Sequence, residues 1–395
     1  MTASFSHHPQ EGQVNMQLQR RQFITAAAGF ALAGRGTIAA ARSPVADSAV
    51  SVYGRSIVID ALGGPGGFDP AARPGDPLAQ RFIADVRRSG ITAINYTVSA
   101  VGNIPTSFQD TIAAIAAANR EVAAHPDVFL QVRGSADLLA AKRTERVGLI
   151  YGIQDTAPLG TDVEGRLSIL HNLGVRIVQM TYNRRNLAGD GALEPANGGL
   201  SSFGREIIAA LNERRILVDL SHGGQRVHAD GIAASRRPPA ITHTGCRDLV
   251  DNPRNTWDAD LKALAEKGGV AGIYFVPFLR TSGELRSDDI IRHIEHAVKV
   301  AGEDHVGIGT DGYVSAIEVT PEYRRSHREF ISSRRKAGIS APGEDPETVM
   351  FSPDYNEPRR LEKLAGDLLR RGHSTGRVEK ILGANFARLF KDVWG

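Results

Sequence analysis

Beyond about residue 50, the chain alternates between two apolar patterns. Short β-rich runs recur at Ser56–Asp60, Thr92–Tyr96, Val147–Ile153, Arg176–Met180, Ile216–Leu220, Ala240–His243, Val270–Tyr274 and His305–Gly309. Between them, apolar residues fall at helical spacing. Strands alternating with helices predict βα units and a parallel sheet, and this number of strands closes a (β/α)8 barrel of the TIM type. Thr161-x-x-Glu164 reads as a capping box ahead of Leu167, Leu170 and Leu173, with Gly174 as the stop. Ser202 is expected to cap a helix carrying Ile207, Ile208 and Leu211, and Asp288 and Asp289 suit the start of another. Two segments break the rhythm, the Gly- and Pro-rich Leu62–Leu78 and the polar Tyr313–Pro358. Both are expected beyond strand C-terminal ends, where lids and substrate loops belong. The tail Arg359–Phe390 reads as helical, packed on the outside. A doubly wound sheet is the competing architecture. Its Gly-rich turn has a counterpart in Gly63-Gly64-Pro65-Gly66-Gly67, but Pro65 and Asp69-Pro70 do not open a helix there.

The first 45 residues belong to a different class. Arg20-Arg21 and Phe23 precede a small, apolar run from Ala26 to Gly34, then Thr37-Ile38-Ala39-Ala40-Ala41. This resembles a twin-arginine export signal, and the apolar run is too short to span a bilayer. The predicted organisation is therefore a signal and linker over 1–45 and a barrel over 46–395, in a periplasmic or secreted protein with no stable transmembrane span. The single cysteine, Cys246, rules out an intrachain disulfide and fits folding in a reducing cytoplasm before export. A net charge of +3 with scattered Lys and Arg argues against a nucleic-acid partner.

In a barrel, reactive side chains come from the C-terminal ends of different strands. Those ends offer Asp60, Asn95, Gln154 with Asp155, Tyr182, His222, His243, Tyr274 and Asp311. Two imidazoles and a carboxylate on separate strands suit zinc or another divalent ion with an open position for water. Each also has a plainer reading: His222 and His243 as hydrogen-bonded rim residues, Asp311 as a cap for the next segment. His305 begins its strand and reads as stabilising, while His171, His293 and His296 fall on helices. Cys246 reads as a partly buried loop thiol, with a nucleophile or soft ligand as the alternative.

Several motifs together are specific. Gly174-Val175-Arg176, Leu200-Ser201-Ser202-Phe203-Gly204-Arg205-Glu206, Val218-Asp219-Leu220-Ser221-His222, His243, Asn252-Pro253-Arg254-Asn255 with Asp258, Gly268-Gly269-Val270, Asp304 through Asp311 and Gly383-Ala384-Asn385-Phe386 resemble the membrane dipeptidase family. The resemblance implies a (β/α)8 barrel, commonly a homodimer, that hydrolyses dipeptides. It also implies that His222 and His243 are the histidines of one zinc site, that Asp311 contacts the nucleophilic water, and that Arg254 binds the substrate carboxylate. A planar guanidinium suits that last role. Asn186 and Tyr274 are expected to contact substrate as well.

The departures are equally specific. Where the family's first strand ends in Asp-Gly-His-Asn-Asp, this chain has Asp60-Ala61-Leu62-Gly63-Gly64, so the His and second Asp that hold the other zinc are missing. Gln154 replaces the glutamate that bridges two ions, and Tyr182 replaces the histidine of the fourth strand. Asp155 is adjacent to Gln154 but faces the other side of its strand. The expectation is one divalent ion, zinc foremost, held by His222 and His243 with Gln154 assisting. Asp311 then serves as base on the metal-activated water, Tyr182 donates to the oxyanion, and a dipeptide or small carboxylated amide is cleaved. The rival readings are a non-catalytic small-ligand-binding barrel and a single-metal enzyme of non-peptidic chemistry.

Overall fold

The computed structural model describes residues 48–395 apart from 74, 100 and 102–105. The export-signal reading of residues 1–45 lies outside the described residues. Ten strands follow in chain order: β1 Ile59–Gly64, β2 Ala93–Thr97, β3 Phe129–Gln131, β4 Val147–Ile153, β5 Val175–Gln179, β6 Leu217–Asp219, β7 Ala240–Thr244, β8 Val270–Ile273, β9 Val306–Ile308 and β10 Gly312–Tyr313. Neighbours run β10-β1-β2-β4-β5-β6-β7-β8-β9, every pair parallel, with β3 joined to the edge of β4.

The ring closes where the chain leaves β9. Asp311 N donates to Leu62 O at 2.8 Å, and Gly63 and Gly64 pair with Gly312 and Tyr313 of β10. Asp60 locks this seam from inside, its carboxylate accepting from Thr310 N at 2.7 Å and Thr310 Oγ1 at 2.6 Å. Eight strands therefore make the barrel, each matching a run read from the sequence, with helices between them. The first is displaced, because Ser56 ends an unforeseen helix, Ala49–Arg55, and β1 instead continues through Leu62–Gly64.

Two apolar layers hold the fold. The larger lies between strands and outer helices, and includes Ile94, Leu149, Ile207 and Ile290. The smaller fills the barrel near the strand N-terminal ends, with Ile59, Ala93, Ile150, Ile177, Leu217, Ala240 and Val270. The terminal helix Asn385–Trp394 completes the smaller layer. Phe386, Leu389, Phe390, Val393 and Trp394 belong to it, and the helix touches β1, β6, β8 and β9. This corrects the expectation that the tail packs only on the outside: its end stoppers the barrel floor.

Two caps shift by one residue. Asp162, not Thr161, accepts from Gly165 N, and Ser201, not Ser202, accepts from Gly204 N. Tyr313–Pro358 holds a 16-residue helix, Pro321–Lys336, capped by Thr320. Among the described residues, no helix is long and apolar enough to cross a membrane.

Candidate metal centre and substrate cavity

His222 follows β6 and His243 lies within β7. Their rings meet edge to face, centroids 4.9 Å apart, and both side chains are buried. The surrounding hydrogen bonds fix both tautomers. Asn183 Nδ2 donates to Ile339 O, so Asn183 Oδ1 is the acceptor facing His222 Nδ1 at 2.6 Å, and that ring nitrogen carries the proton. Thr242 Oγ1 donates to Asp219 Oδ2 at 2.6 Å and therefore accepts from His243 Nδ1 at 3.0 Å. Each ring is left with a bare lone pair on Nε2, and the buried His243 Nε2 has no hydrogen-bond partner. Burial, aided by the Arg254 charge, holds both imidazoles well below their usual pKa, so both stay neutral.

Neutral rings with oriented Nδ1–H groups and free Nε2 atoms are the donor chemistry a divalent ion requires. The donors of this kind at hand are the two imidazoles of His222 and His243. Among the described residues, no group of three or more His, Cys, Asp or Glu comes together to hold a metal. Leu62 and Gly64 supply no donor for a second ion. A side chain at Gly64 would also meet the Tyr313 ring, whose Cδ1 lies 3.1 Å from the Cβ position. Gln154 stands on the cavity wall, its Nε2 donating to Thr97 Oγ1 at 2.7 Å.

Asp219 organises the pair without touching either ring. Its carboxylate accepts from Ser221 N and Oγ and from Thr242 N and Oγ1, tying the ends of β6 and β7 together. His222 and Asp311 both adopt left-handed backbone conformations, with φ of 62° and 55°. For a side-chain-bearing residue this costs about 1 to 3 kcal/mol, a strain typical of residues aimed at a site.

Tyr182 stacks on His222 with ring centroids 4.2 Å apart. Arg334, on the inserted helix, donates to the Tyr182 hydroxyl at 3.0 Å and makes two 2.7 Å contacts with the buried carboxylate of Glu344. Because the phenol oxygen accepts from Arg334, its own proton is free to be donated elsewhere. Burial raises the Tyr182 pKa, and Arg334 opposes the rise. No sequence pattern signals Arg334 or Glu344, because neither sits at a strand end.

Arg254 is buried, with Nη2 unpartnered, and its charge acts on His222, His243, Tyr182, Tyr274 and Asp311. Tyr274 hydrogen-bonds through its hydroxyl to Asn255, beside Arg254, and thereby supports that loop. Asn186 is committed elsewhere. Its amide donates to Asp155 Oδ1, Thr156 Oγ1 and Met180 O, and its carbonyl accepts from Ala188 N and Gly189 N. Asp155 is thus engaged with the same loop. Cys246 is buried, donates to His293 O at 3.3 Å, and has its thiol pKa pushed up by burial. His293 accepts from Cys246 N, and His305 contacts Gly269 O, so both are structural.

Asp311 joins this buried group to an open cavity of roughly 620 Å³ that Gln154 and Tyr313 also line. Its carboxylate reaches solvent while protein surrounds it. That setting raises its pKa, and Arg254 and then Arg334 pull it back.

Two histidines and an arginine thus meet at the C-terminal mouth of a (β/α)8 barrel, with an aspartate on the wall of the adjoining cavity. A model of the membrane dipeptidase family, peptidase family M19, matches residues 78–323. The chain belongs to the membrane dipeptidase family. Among curated family relatives, dipeptidase tcpJ of Claviceps purpurea is 27% identical over 291 residues, covering 73% of this chain and 60% of that protein. Dipeptidase ataJ of Aspergillus terreus is 26% identical over 312 residues, covering 72% and 67%. The chain therefore spans about three fifths to two thirds of those relatives. An amidohydrolase from Pseudomonas aeruginosa superposes with a TM-score of 0.76 at 32% identity, covering 88% of this chain and all of that one. A metallo peptidase from Rhodobacter sphaeroides, liganded with a phosphinate mimic of L-Ala-D-Ala, superposes at 0.69 with 19% identity, over 86% of this chain and 100% of its own, and supports the fold.

Proposed function

We propose that this protein is a metal-dependent hydrolase that cleaves dipeptides or small carboxylated amides with a single divalent ion, zinc foremost. The observation that carries the reading is the pair of buried, tautomer-fixed imidazoles presenting bare Nε2 atoms. When bound, the ion supplies Lewis acidity, polarising the amide carbonyl and acidifying water. The chain's residues do the rest. Arg254 offers an unspent Nη2 to the substrate carboxylate and so orients the amide. Asp311, on the cavity side, accepts the proton of the attacking water and returns it to the leaving amine. Tyr182 donates its hydroxyl proton toward the oxygen on which charge develops, held in place by Arg334. Family membership and the likeness to the amidohydrolase support the same reaction class. The Arg20-Arg21 signal supports action outside the cytoplasm, in a homodimer as the family resemblance implies.

Metal analysis of protein matured in its native host, paired with amine release from a dipeptide panel that includes D-residues, tests the proposal. The expected outcome is close to one equivalent of a divalent ion and turnover that a chelator abolishes. A metal-free chain that stays inactive after zinc, manganese or iron addition overturns it.

A further inference from the structure

The cavity beside Asp311 differs in character from the buried histidine group. Phe68, Tyr96, Phe275, Tyr313, Phe330 and Phe351 all contribute to its walls, and its volume of roughly 620 Å³ exceeds what a methyl or hydrogen side chain needs. Among the described residues, Asp311 is the only carboxylate that lines it. Gln154 on the same wall is neutral, and the one strongly charged neighbour is cationic: Arg360, which donates to Val314 O and Glu357 O. Beyond Asp311, Arg254 adds positive charge, while Arg334 is matched by Glu344. Arg254 does not line this cavity, so a substrate whose carboxylate Arg254 holds would have its other end to place in the cavity.

A dipeptide carries an ammonium group on its acyl side. Here that cation finds no carboxylate except the base, and pairing with Asp311 would remove the group that must take a proton. Left to neutral dipoles and aromatic walls, it loses hydration without a counter-charge. Resting on the hydrolase reading above, we infer that the preferred substrates are N-acyl amino acids with a bulky aromatic or apolar acyl group and no free amine. The cavity holds the acyl group, and Arg254 holds the carboxylate.

Three compounds separate the components: 3-phenylpropionyl-glycine, phenylalanyl-glycine, which adds only the ammonium, and acetyl-glycine, which removes only the bulk. With the zinc- or manganese-loaded enzyme, kcat/KM for 3-phenylpropionyl-glycine should exceed that for each of the others by at least about tenfold, the scale of one uncompensated charged contact or one buried ring. Equal or faster cleavage of phenylalanyl-glycine overturns the charge argument. Equal cleavage of acetyl-glycine overturns the size argument. Phe330→Ala alters a residue that is half exposed, so the fold should survive; the aromatic preference should fall about threefold to tenfold, and an unchanged preference counts against the cavity. If none of the three is hydrolysed, the hydrolase reading fails, and calorimetric binding still decides this one: tighter binding of 3-phenylpropionyl-glycine than of phenylalanyl-glycine supports it, and the reverse order sinks it.

Discussion

The barrel mouth has two sides that have gone different ways. On the β6–β7 side, His222 and His243 each keep a hydrogen-bonded Nδ1, and Asp219 braces both loops with four accepted hydrogen bonds. On the β1 side, the family's ligand positions are Leu62 and Gly64, the Tyr313 ring stands against Gly64, and Asp60 spends its carboxylate on closing the ring. On the proposed reading, the first side holds the cation and the second encloses the organic group. Under the proposed function, the contrast is that of a metal-binding scaffold with one ligand side kept and the other turned over to binding. This requires the second-sphere support of the remaining histidines to stay intact.

The largest effect should come from the braced side. His243→Ala removes one of only two imidazole donors, so metal affinity should fall by more than about 100-fold, since loss of an outer partner alone costs about 10- to 100-fold. Asp219→Asn should fall within that smaller range. Equilibrium dialysis against a metal indicator checks both, with circular dichroism of the metal-free forms controlling for folding. Unchanged metal content in His243→Ala would remove the two-imidazole site altogether.

Next comes the tyrosine stacked on His222. Tyr182→Phe keeps the stack on His222 and deletes the hydroxyl, so kcat should fall by about 10- to 100-fold with KM little changed. Arg334→Met should fall in the same direction by less, because the hydroxyl remains but loses the donor that orients it. A rise in KM alone for Tyr182→Phe would reassign it to substrate binding.

How much of this was legible follows the same division. The eight strands announce themselves through apolar runs, and barrel geometry makes their C-terminal ends the place to look, so Tyr182, His222, His243 and Asp311 stood out in the sequence. Arg334, Glu344 and Tyr313 did not. They reach the mouth from a polar insertion whose inward residues are set by tertiary contacts over long chain separations. Asn186, expected to contact substrate, has its side-chain amide engaged in five local bonds that no sequence pattern announces. The terminal helix was read from its pattern, but nothing in its own amphipathicity says that its apolar face meets the barrel floor.

Restoring the lost ligand should be costly unless its replacement is also removed. Gly64→Asp places a Cβ 3.1 Å from the Tyr313 ring and should destabilise the fold by about 1 to 3 kcal/mol. Adding Tyr313→Ala should recover much of that loss. A double-mutant cycle of thermal midpoints measures the coupling, and an additive result would mean that Tyr313 does not occupy the space the ligand vacated.

The smallest effect concerns Asp60, which closes the ring on the β1 side. Burial raises its pKa from the usual carboxylate range to about 7, even though Thr310 and the Leu62 amide donate to it. With the folded pKa above the unfolded one, the native state binds more protons between about pH 4 and 7, so stability declines as pH rises through that window. Below it, both states are protonated and the penalty vanishes. Asp60→Asn loses an acceptor for Thr310 and should be less stable at every pH, but it has no proton to lose. Its deficit against the parent should therefore shrink from pH 5 to pH 8, as the parent comes to bear the cost of a buried carboxylate. Denaturant midpoints at the two pH values decide it. A deficit that grows toward pH 8 would mean that the Thr310 donors outweigh burial, and that the barrel seam is held by an ionised carboxylate instead of a protonated one.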